Sequence, residues 1–388
     1  MGTLLIHGGD VYTPFEVIED GAVLARDGRI ERVGRRAEVE TEQADVSVDA
    51  GGRIICPGFV DLQVNGGGGA LLTEEPTPEA LERMTRAHVA FGTTAMLPTV
   101  VTAPEEAMTR ALAAVSESMD RPATGARIRG SHLEGPFISP VRKGAHREQF
   151  IQPPRRELLD RLLDGAGGTL RIITLAPELP GARELIEVAR AASVVVSVGH
   201  TDATFDEAVE AIEAGAALGT HVFNAMHALT QREPGVIGAL LQSDQTVVSV
   251  IADGVHVHPS VLRLVYASKR ASGVALITDA MPPVGTDMSS FRLQDAEITV
   301  RDGACYLSNG TLAGSALSMN RAVRLMRDLG GAPLLECVQM ATATPARVLG
   351  LEDEIGALKP GARADIVVCD HDLDVWKVFV GGELAYEA

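Results

Sequence analysis

The sequence predicts an α/β fold: a TIM-like (β/α)8 barrel with a small β-sandwich domain built from both ends of the chain. In the middle of the chain, eight short apolar runs alternate with amphipathic helical patterns, as expected of parallel strands buried on both faces. At both ends, short alternating runs are separated by Asp-Gly and Gly-Gly turns, which favour antiparallel strands. The predicted division is 1–56 with 356–388 for the sandwich and 57–355 for the barrel.

The predicted terminal strands are Thr3–His7, Ala22–Arg26, Arg29–Val33, Arg53–Ile55, Asp365–Cys369 and Val375–Val380. The predicted barrel strands are Phe59–Val64, Thr94–Leu97, Ile128–Leu133, Arg171–Leu175, Val194–Val198, Ala217–Val222, Val247–Ile251 and Val274–Ile277. Helical periodicity between and after these strands is clearest over Pro78–Phe91, Arg155–Leu163, Ala182–Ala192, Phe205–Ala214, Met319–Leu329 and Leu334–Leu349.

Composition limits the possible classes of function. The 388 residues suit one large barrel with an appendage, and the net charge of −18 argues against nucleic-acid or anionic-membrane binding. The four cysteines are far apart and form no CxxC pair, which predicts reduced core residues. There is no signal-peptide pattern and no run near the ~18 apolar residues of a membrane span. We therefore expect a cytoplasmic protein.

Polar side chains follow the predicted barrel strands at their carboxyl ends, which is where TIM-barrel enzymes place their active sites. Glu134, His200 and His221 follow the third, fifth and sixth strands. One carboxylate and two imidazoles are a common ligand set for a catalytic divalent metal. Any one of them alone could instead be a hydrogen-bonded structural histidine or a helix-capping acid. Their matching positions on successive strands favour a shared metal site.

Further candidates lie around the same mouth. Asp279 follows the eighth strand and could act as a general base and then as an acid, or it could be a turn residue before Met281. His146, in the loop after the third strand, could polarise a substrate carbonyl or simply be solvated. Arg232 and His256 could bind an anion or sugar hydroxyls, although a surface arginine commonly pairs with an acid. The sequence suggests no role for His227.

A resemblance to a known family rests on an ordered set of motifs. General marks are PGFVD at Pro57–Asp61 and LKPGARAD at Leu358–Asp365. More specific are HLEGP from His132, KGAH from Lys143, VGHT from Val198, THVFNAM from Thr220, REPG from Arg232, IADGVH from Ile251, TDA from Thr278 and GTLAGS from Gly310. Over almost its full length the chain resembles the amidohydrolase superfamily and, within it, the family of N-acetylglucosamine-6-phosphate deacetylases.

The resemblance implies a role for each matching residue. Glu134, His200 and His221 would bind the metal, with Asp279 as the general base and His146 polarising the acetyl carbonyl. The implied substrate contacts are Asn224, Ala225, Arg232, His256, Ala145 and Leu312. Arg232 would reach the phosphate from a neighbouring subunit, which implies a homodimer.

The same resemblance implies the cofactor. Many relatives carry His-x-His after the first strand, where this chain has Gln63-Val64-Asn65, so we expect one metal ion per subunit. Zinc suits the ligand set, and iron, manganese or cobalt could occupy it.

The implied reaction is hydrolysis of N-acetylglucosamine 6-phosphate to glucosamine 6-phosphate and acetate. Three alternatives stay open at this stage. One is the same reaction on N-acetylgalactosamine 6-phosphate, which differs only in the sugar C4 hydroxyl. A second is a cyclic-amide hydrolase, although a binuclear enzyme of that kind would normally need the missing His-x-His. The third is a non-catalytic sugar-phosphate sensor, against which the presence of both the metal ligands and the base argues.

Overall fold

Eight parallel strands form the barrel that organises the molecule. A computed structural model describes residues 2–39, 44–121 and 124–388. The barrel strands neighbour one another in chain order: Phe59–Val64, Thr93–Val101, Ser131–Glu134, Leu170–Leu175, Val195–Val198, Leu218–Gly219, Val247–Val250 and Val274–Leu276. The ring closes just beyond the eighth strand, where the amide of Asp279 donates to the carbonyl of Gln63 at 3.0 Å. The predicted α/β barrel is confirmed.

Two barrel strands differ from the predicted bounds. The predicted third strand, Ile128–Leu133, is two pieces, Arg127–Ile128 and Ser131–Glu134. Gly130, at φ 128°, lies between them in a backbone conformation that favours glycine. The sixth strand is only Leu218–Gly219, because the chain leaves the sheet before His221, whose φ is 31°. Apolar runs predicted both strands but could not locate these backbone turns.

Helices surround the barrel and pack against its strands. They are Pro78–Val89, Glu105–Met119, Arg156–Gly165, Ala182–Ala191, Phe205–Ala214, Gly235–Gln242, Pro259–Lys269, Met319–Asp328, Leu334–Ala341 and Ala343–Val348. Phe205–Ala214 has the predicted bounds because Thr204 and Glu207 form a capping box at its start. Gly215, at φ 112°, ends it. The predicted helix Leu334–Leu349 is broken at Thr342, whose φ and ψ are −135° and −80°.

The two chain ends build one eight-stranded sheet. Its strands are Thr3–Tyr12, Val17–Arg26, Arg29–Arg35, Val46–Asp49, Ile54–Pro57, Ile366–Cys369, Val375–Val380 and Glu383–Glu387. The predicted β unit from both termini is confirmed, but it is mixed rather than purely antiparallel, because the first strand pairs in parallel with the fourth and fifth. The predicted boundaries at 56/57 and 355/356 stay a prediction.

Side-chain alternation attaches this terminal sheet to the barrel. Along the fifth strand of the sheet, Ile54 and Cys56 belong to the large hydrophobic core of the barrel. Ile55, between them, belongs to the separate core of the terminal sheet. Because successive side chains of a strand point to opposite faces, one strand contributes to both cores.

A second, smaller sheet was not predicted. Four antiparallel strands follow the eighth barrel strand: Ser290–Leu293, Ala296–Arg301, Ala304–Leu307 and Leu312–Ser315. We call residues 290–315 the flap sheet, because several of its side chains line the cavity at the barrel mouth. Phe291, Ile298 and Cys305 pack with Leu71 and Met281 beneath it. Within the described ranges, every helix is too short or too polar to cross a membrane.

Candidate active site

Three ligand-type side chains meet at the carboxyl ends of the third, fifth and sixth strands. The Oε1 atom of Glu134 lies 2.9 Å from Nε2 of His221 and 3.3 Å from Nε2 of His200. The two Nε2 atoms are themselves 3.2 Å apart. All three residues are buried. The structure therefore brings together the three predicted metal ligands, with one donor atom of each turned towards the same point.

The backbone is strained where these side chains leave their strands. His200 and His221 have φ values of 48° and 31°, and Asp279 has a φ of 50°. Non-glycine residues in this left-handed region cost free energy, and they cluster at functional sites. The amide of His221 is held by Oγ of Ser249 at 2.8 Å. These conformations direct the side chains into the mouth of the barrel, whereas a regular strand would direct them elsewhere.

Hydrogen bonds within the cluster shift the pKa values of Glu134 and His221 in opposite directions. Burial by itself would raise the pKa of Glu134, but hydrogen bonds from His200 and His221 outweigh it and hold the pKa well below the ordinary value. Burial would lower the pKa of His221, and its hydrogen bond to Glu134 instead raises it. The carboxylate is thus ionised, as a metal ligand must be.

Asp279 is held beside this cluster by two amide side chains. Its Oδ1 accepts hydrogen bonds from Nδ2 of Asn65 at 2.7 Å and from Nε2 of Gln63 at 3.2 Å. Gln63 Nε2 also donates to Oε1 of Glu134 at 3.0 Å, so one amide bridges the two carboxylates. Burial, followed by the nearby charge of Glu134, raises the pKa of Asp279 to about 6. A carboxyl group with that pKa suits proton transfer near neutral pH.

His146 faces the same cluster from the loop after the third strand. Its Nε2 lies 3.9 Å from Oε2 of Glu134, and its ring packs edge-on against His200 with centroids 4.5 Å apart. Burial, with the neighbouring His200, lowers the pKa of His146 to about 3. The imidazole is therefore neutral, and its one protonated ring nitrogen can donate a hydrogen bond.

His256 is oriented by Asp253. Nδ1 of His256 lies 2.6 Å from Oδ2 of Asp253, whose Oδ1 accepts the backbone amides of Val255 and His256. Among the described residues, nothing hydrogen-bonds to the buried Nε2 of His256. Because Nδ1 faces a carboxylate, it carries a proton, and Nε2 is left for a contact with a hydroxyl group.

One cavity of about 1290 Å³ joins these groups. All the predicted site residues line it except Arg232, namely Glu134, Ala145, His146, His200, His221, Asn224, Ala225, His256, Asp279 and Leu312. Arg232 is exposed on the loop after the sixth strand and lies outside the cavity of its own chain.

The sequence did not predict the flap-sheet wall of this cavity, which includes Leu293, Gln294 and Asn309. Nε2 of Gln294 donates to the carbonyl of Thr102 at 3.3 Å, and the backbone amide of Gln294 donates to Oε1 of Glu74 at 2.7 Å. Its neighbour Asp295 forms an ion pair with Arg147. The alternating pattern of 290–301 before the Asp302-Gly303 turn was the available signal for this sheet.

The arrangement fits a divalent metal ion. One carboxylate oxygen and two imidazole nitrogens lie within 4.8 Å of one another, and they are the donor types that zinc and related transition metals bind. All three residues line the cavity, so an ion that they held would be accessible to a substrate, as a catalytic rather than a structural metal site requires.

Comparison with known proteins agrees with this site. The amidohydrolase family model matches residues 54–385. The chain belongs to the amidohydrolase family. Membership agrees with the α/β barrel of this chain, whose strands lie within the matched residues.

Individual relatives within this family are similar over their full length. An N-acetylgalactosamine-6-phosphate deacetylase of Shewanella sp. (strain ANA-3) is 38% identical, covering 99% of this chain and 96% of that protein. An N-acetylglucosamine-6-phosphate deacetylase of Bacillus subtilis is 35% identical, covering 99% and 97%. The solved structure of N-acetyl-D-glucosamine-6-phosphate deacetylase from Mycobacterium smegmatis, in complex with N-acetyl-D-glucosamine-6-phosphate, has a TM-score of 0.93 at 36% identity, covering 99% and 100%.

Proposed function

We propose that this amidohydrolase removes the acetyl group from an N-acetylated amino-sugar 6-phosphate. The reaction converts N-acetylglucosamine 6-phosphate to glucosamine 6-phosphate and acetate. The observation that carries the proposal is the convergence of Glu134, His200 and His221 beside Asp279 in one cavity. Full-length similarity to amino-sugar phosphate deacetylases supports the substrate class.

The residues of the chain divide the chemistry between them. One divalent ion, when bound by the three ligands, supplies Lewis-acid polarisation and favours ionisation of water. Asp279 takes a proton from the attacking water and returns it to the nitrogen as the C–N bond breaks. Neutral His146 donates a hydrogen bond to the acetyl oxygen, where negative charge develops. Zinc is the metal we propose, with iron, manganese and cobalt as the alternatives.

Substrate binding needs local positive charge, since the whole chain carries −18. We propose that Arg232 meets the 6-phosphate in the cavity of a partner subunit, so that the active unit is a homodimer. The exposed position of Arg232, outside its own cavity, supports this role. His256, with its unbonded Nε2, would hold a sugar hydroxyl, and Asn224, Ala225, Ala145 and Leu312 would form the other contacts. The enzyme would work in the cytoplasm.

N-Acetylgalactosamine 6-phosphate is the second candidate substrate. Relatives from Shewanella sp. (strain ANA-3) and Escherichia coli O157:H7 that carry this activity in their names are 38% and 36% identical to the chain. The two sugars differ at one hydroxyl, so both candidates use the same metal and proton chemistry.

The test is acetate release from the two epimers side by side, with the metal-loaded wild type and Asp279→Asn. We expect turnover of at least one epimer by the wild type, and the higher kcat/KM identifies the substrate. Asp279→Asn should keep its metal and lose most of its turnover, because an amide cannot accept the proton. Release of acetate from neither epimer by the metal-loaded wild type would refute the proposed function. Full activity in the variant would refute the role of Asp279.

A further inference from the structure

His200 is oriented by a backbone carbonyl from another loop. Its Nδ1 lies 3.0 Å from the carbonyl oxygen of Arg142, so Nδ1 carries a proton, and Nε2 faces Glu134. The same loop packs on the ring, since a Cβ at Gly144 would lie 3.1 Å from Cε1 of His200. In contrast, Nδ1 of His221 is buried without a partner in the described part of the chain. The loop after the third strand therefore orients the ring of His200 through Nδ1, and in the described part of the chain it makes no such contact with Nδ1 of His221.

The position of Arg142 depends in turn on Asp202. Nε of Arg142 donates to Oδ1 of Asp202 at 2.7 Å. The same oxygen lies 3.0 Å from Nδ1 of His227, the histidine for which the sequence suggested no role. Arg142, Asp202 and His227 belong to the loops after the third, fifth and sixth strands, so one carboxylate ties three loops of the mouth together.

Asp202 is itself firmly anchored. Its amide donates to Oε1 of Glu178 at 2.7 Å, and Oγ1 of the preceding Thr201 donates to Oε2 of Glu178 at 2.5 Å. The backbone of Thr201 also pairs with the loop after the sixth strand, donating to the carbonyl of Ala225 and accepting from the amide of His227. A carboxylate fixed on its backbone side can hold the arginine side chain in place.

We propose that Asp202 is a positioning residue for the metal site, acting through Arg142. By holding the guanidinium, Asp202 keeps the Arg142 carbonyl where it fixes the ring and tautomer of His200. Groups that orient a ligating histidine typically change metal affinity by about 10–100-fold when they are removed. His227 shares Asp202, but among the described residues no hydrogen bond joins it to Arg142, so it belongs to the loop after the sixth strand rather than to this chain of contacts.

The test measures Zn²⁺ affinity by competition with a chelator, together with the melting temperature of the metal-free protein. Asp202→Ala should weaken Zn²⁺ binding about tenfold, and Arg142→Ala should do the same. The double variant should be no weaker than either single variant, because both changes cut one path. Glu210→Ala, which removes an exposed acid from the following helix, is the matched control and should bind Zn²⁺ like the wild type.

Two further variants keep the test decisive. Asp202→Asn retains the shape of the side chain and should still weaken binding, because it loses the charge that holds the guanidinium. His227→Gln should leave Zn²⁺ affinity within about twofold, since the Arg142–Asp202 contact remains.

The proposal would be overturned if Asp202→Ala bound Zn²⁺ like the wild type, if the single effects were additive, or if His227→Gln lost as much affinity. It would also be overturned if the metal-free Asp202 variants melted well below the metal-free wild type, which would indicate a general loss of folding. Metal affinity is measured without substrate, so failure of this proposal is distinct from failure of the proposed deacetylase activity.

Discussion

Removing the Asn65 amide should move the pH profile of the enzyme upward. Asn65 donates the shorter of the two hydrogen bonds to Oδ1 of Asp279, at 2.7 Å. A hydrogen bond to a charged group contributes about 1.5–3 kcal/mol, and one pKa unit corresponds to about 1.4 kcal/mol. Loss of the donor destabilises only the ionised form. We therefore expect Asn65→Ala to raise the pKa of Asp279 by about one unit.

The consequence for activity follows from the sign of that change. Asp279 acts as a base only when ionised, and burial and Glu134 already raise its pKa to about 6. In the variant, kcat/KM at pH 6 should fall by about fivefold relative to wild type, and the two should converge near pH 8. A bound divalent ion would shift the acid limbs of both profiles to lower pH. The quantity to compare is therefore the separation in pH between the two limbs.

The assay is acetate release from pH 5 to 9, with metal content measured for each variant. Asn309→Ala is the control, because Asn309 lines the same cavity but caps the amide of Thr311 rather than touching Asp279. An acid limb of Asn65→Ala that stays in place, or that moves to lower pH, would show that the amide does not stabilise the ionised base.

Three other predictions follow from the site and the core. Glu134→Gln should lose most of its metal and its acetate release, and metal analysis after dialysis checks this; retention of a full metal complement would contradict the ligand assignment. Arg232→Ala should raise KM for the phosphorylated sugar about tenfold while leaving an unphosphorylated analogue unaffected, since one charge-assisted hydrogen bond is lost; equal effects would remove Arg232 from phosphate binding. Burial lowers the pKa of His88 to about 4. The free energy of unfolding should therefore be highest above pH 6.5 and should fall by about 3 kcal/mol as the pH approaches 4. Denaturant unfolding should show a smaller loss in His88→Gln, and an unchanged loss would assign it elsewhere.

The fold was largely predictable because its signals are local. Each buried parallel strand is a short apolar run, and each outer helix has its own periodicity, so the order of elements could be obtained without knowing their contacts. The flap sheet was missed because its first two strands are short and partly exposed, although their apolar residues alternate. The break of the third strand at Gly130 was missed and the end of the sixth strand before His221 was misplaced, because a single backbone turn leaves little trace in an apolar run.

The candidate site was predictable for a related reason. In a parallel barrel, the residue that follows each strand must lie at the same rim, so Glu134, His200 and Asp279 could be grouped from chain order alone. Chain order says nothing about which groups orient them. The amide of Gln63 between two carboxylates comes from the first barrel strand, and the carbonyl of Arg142 on His200 comes from the loop after the third strand. Both are distant in sequence from the groups that they orient.

Sequence patterns alone are enough to predict the barrel, the terminal β unit, the family resemblance and the residue types of a metal-dependent hydrolase. These properties depend on local pattern and on the geometry that every parallel barrel shares. The folded chain is needed to show that two amides hold Asp279, that the flap sheet lines the cavity, and that Asp202 joins three loops through Arg142 and His227. These contacts depend on distances between loops, which long-range packing sets.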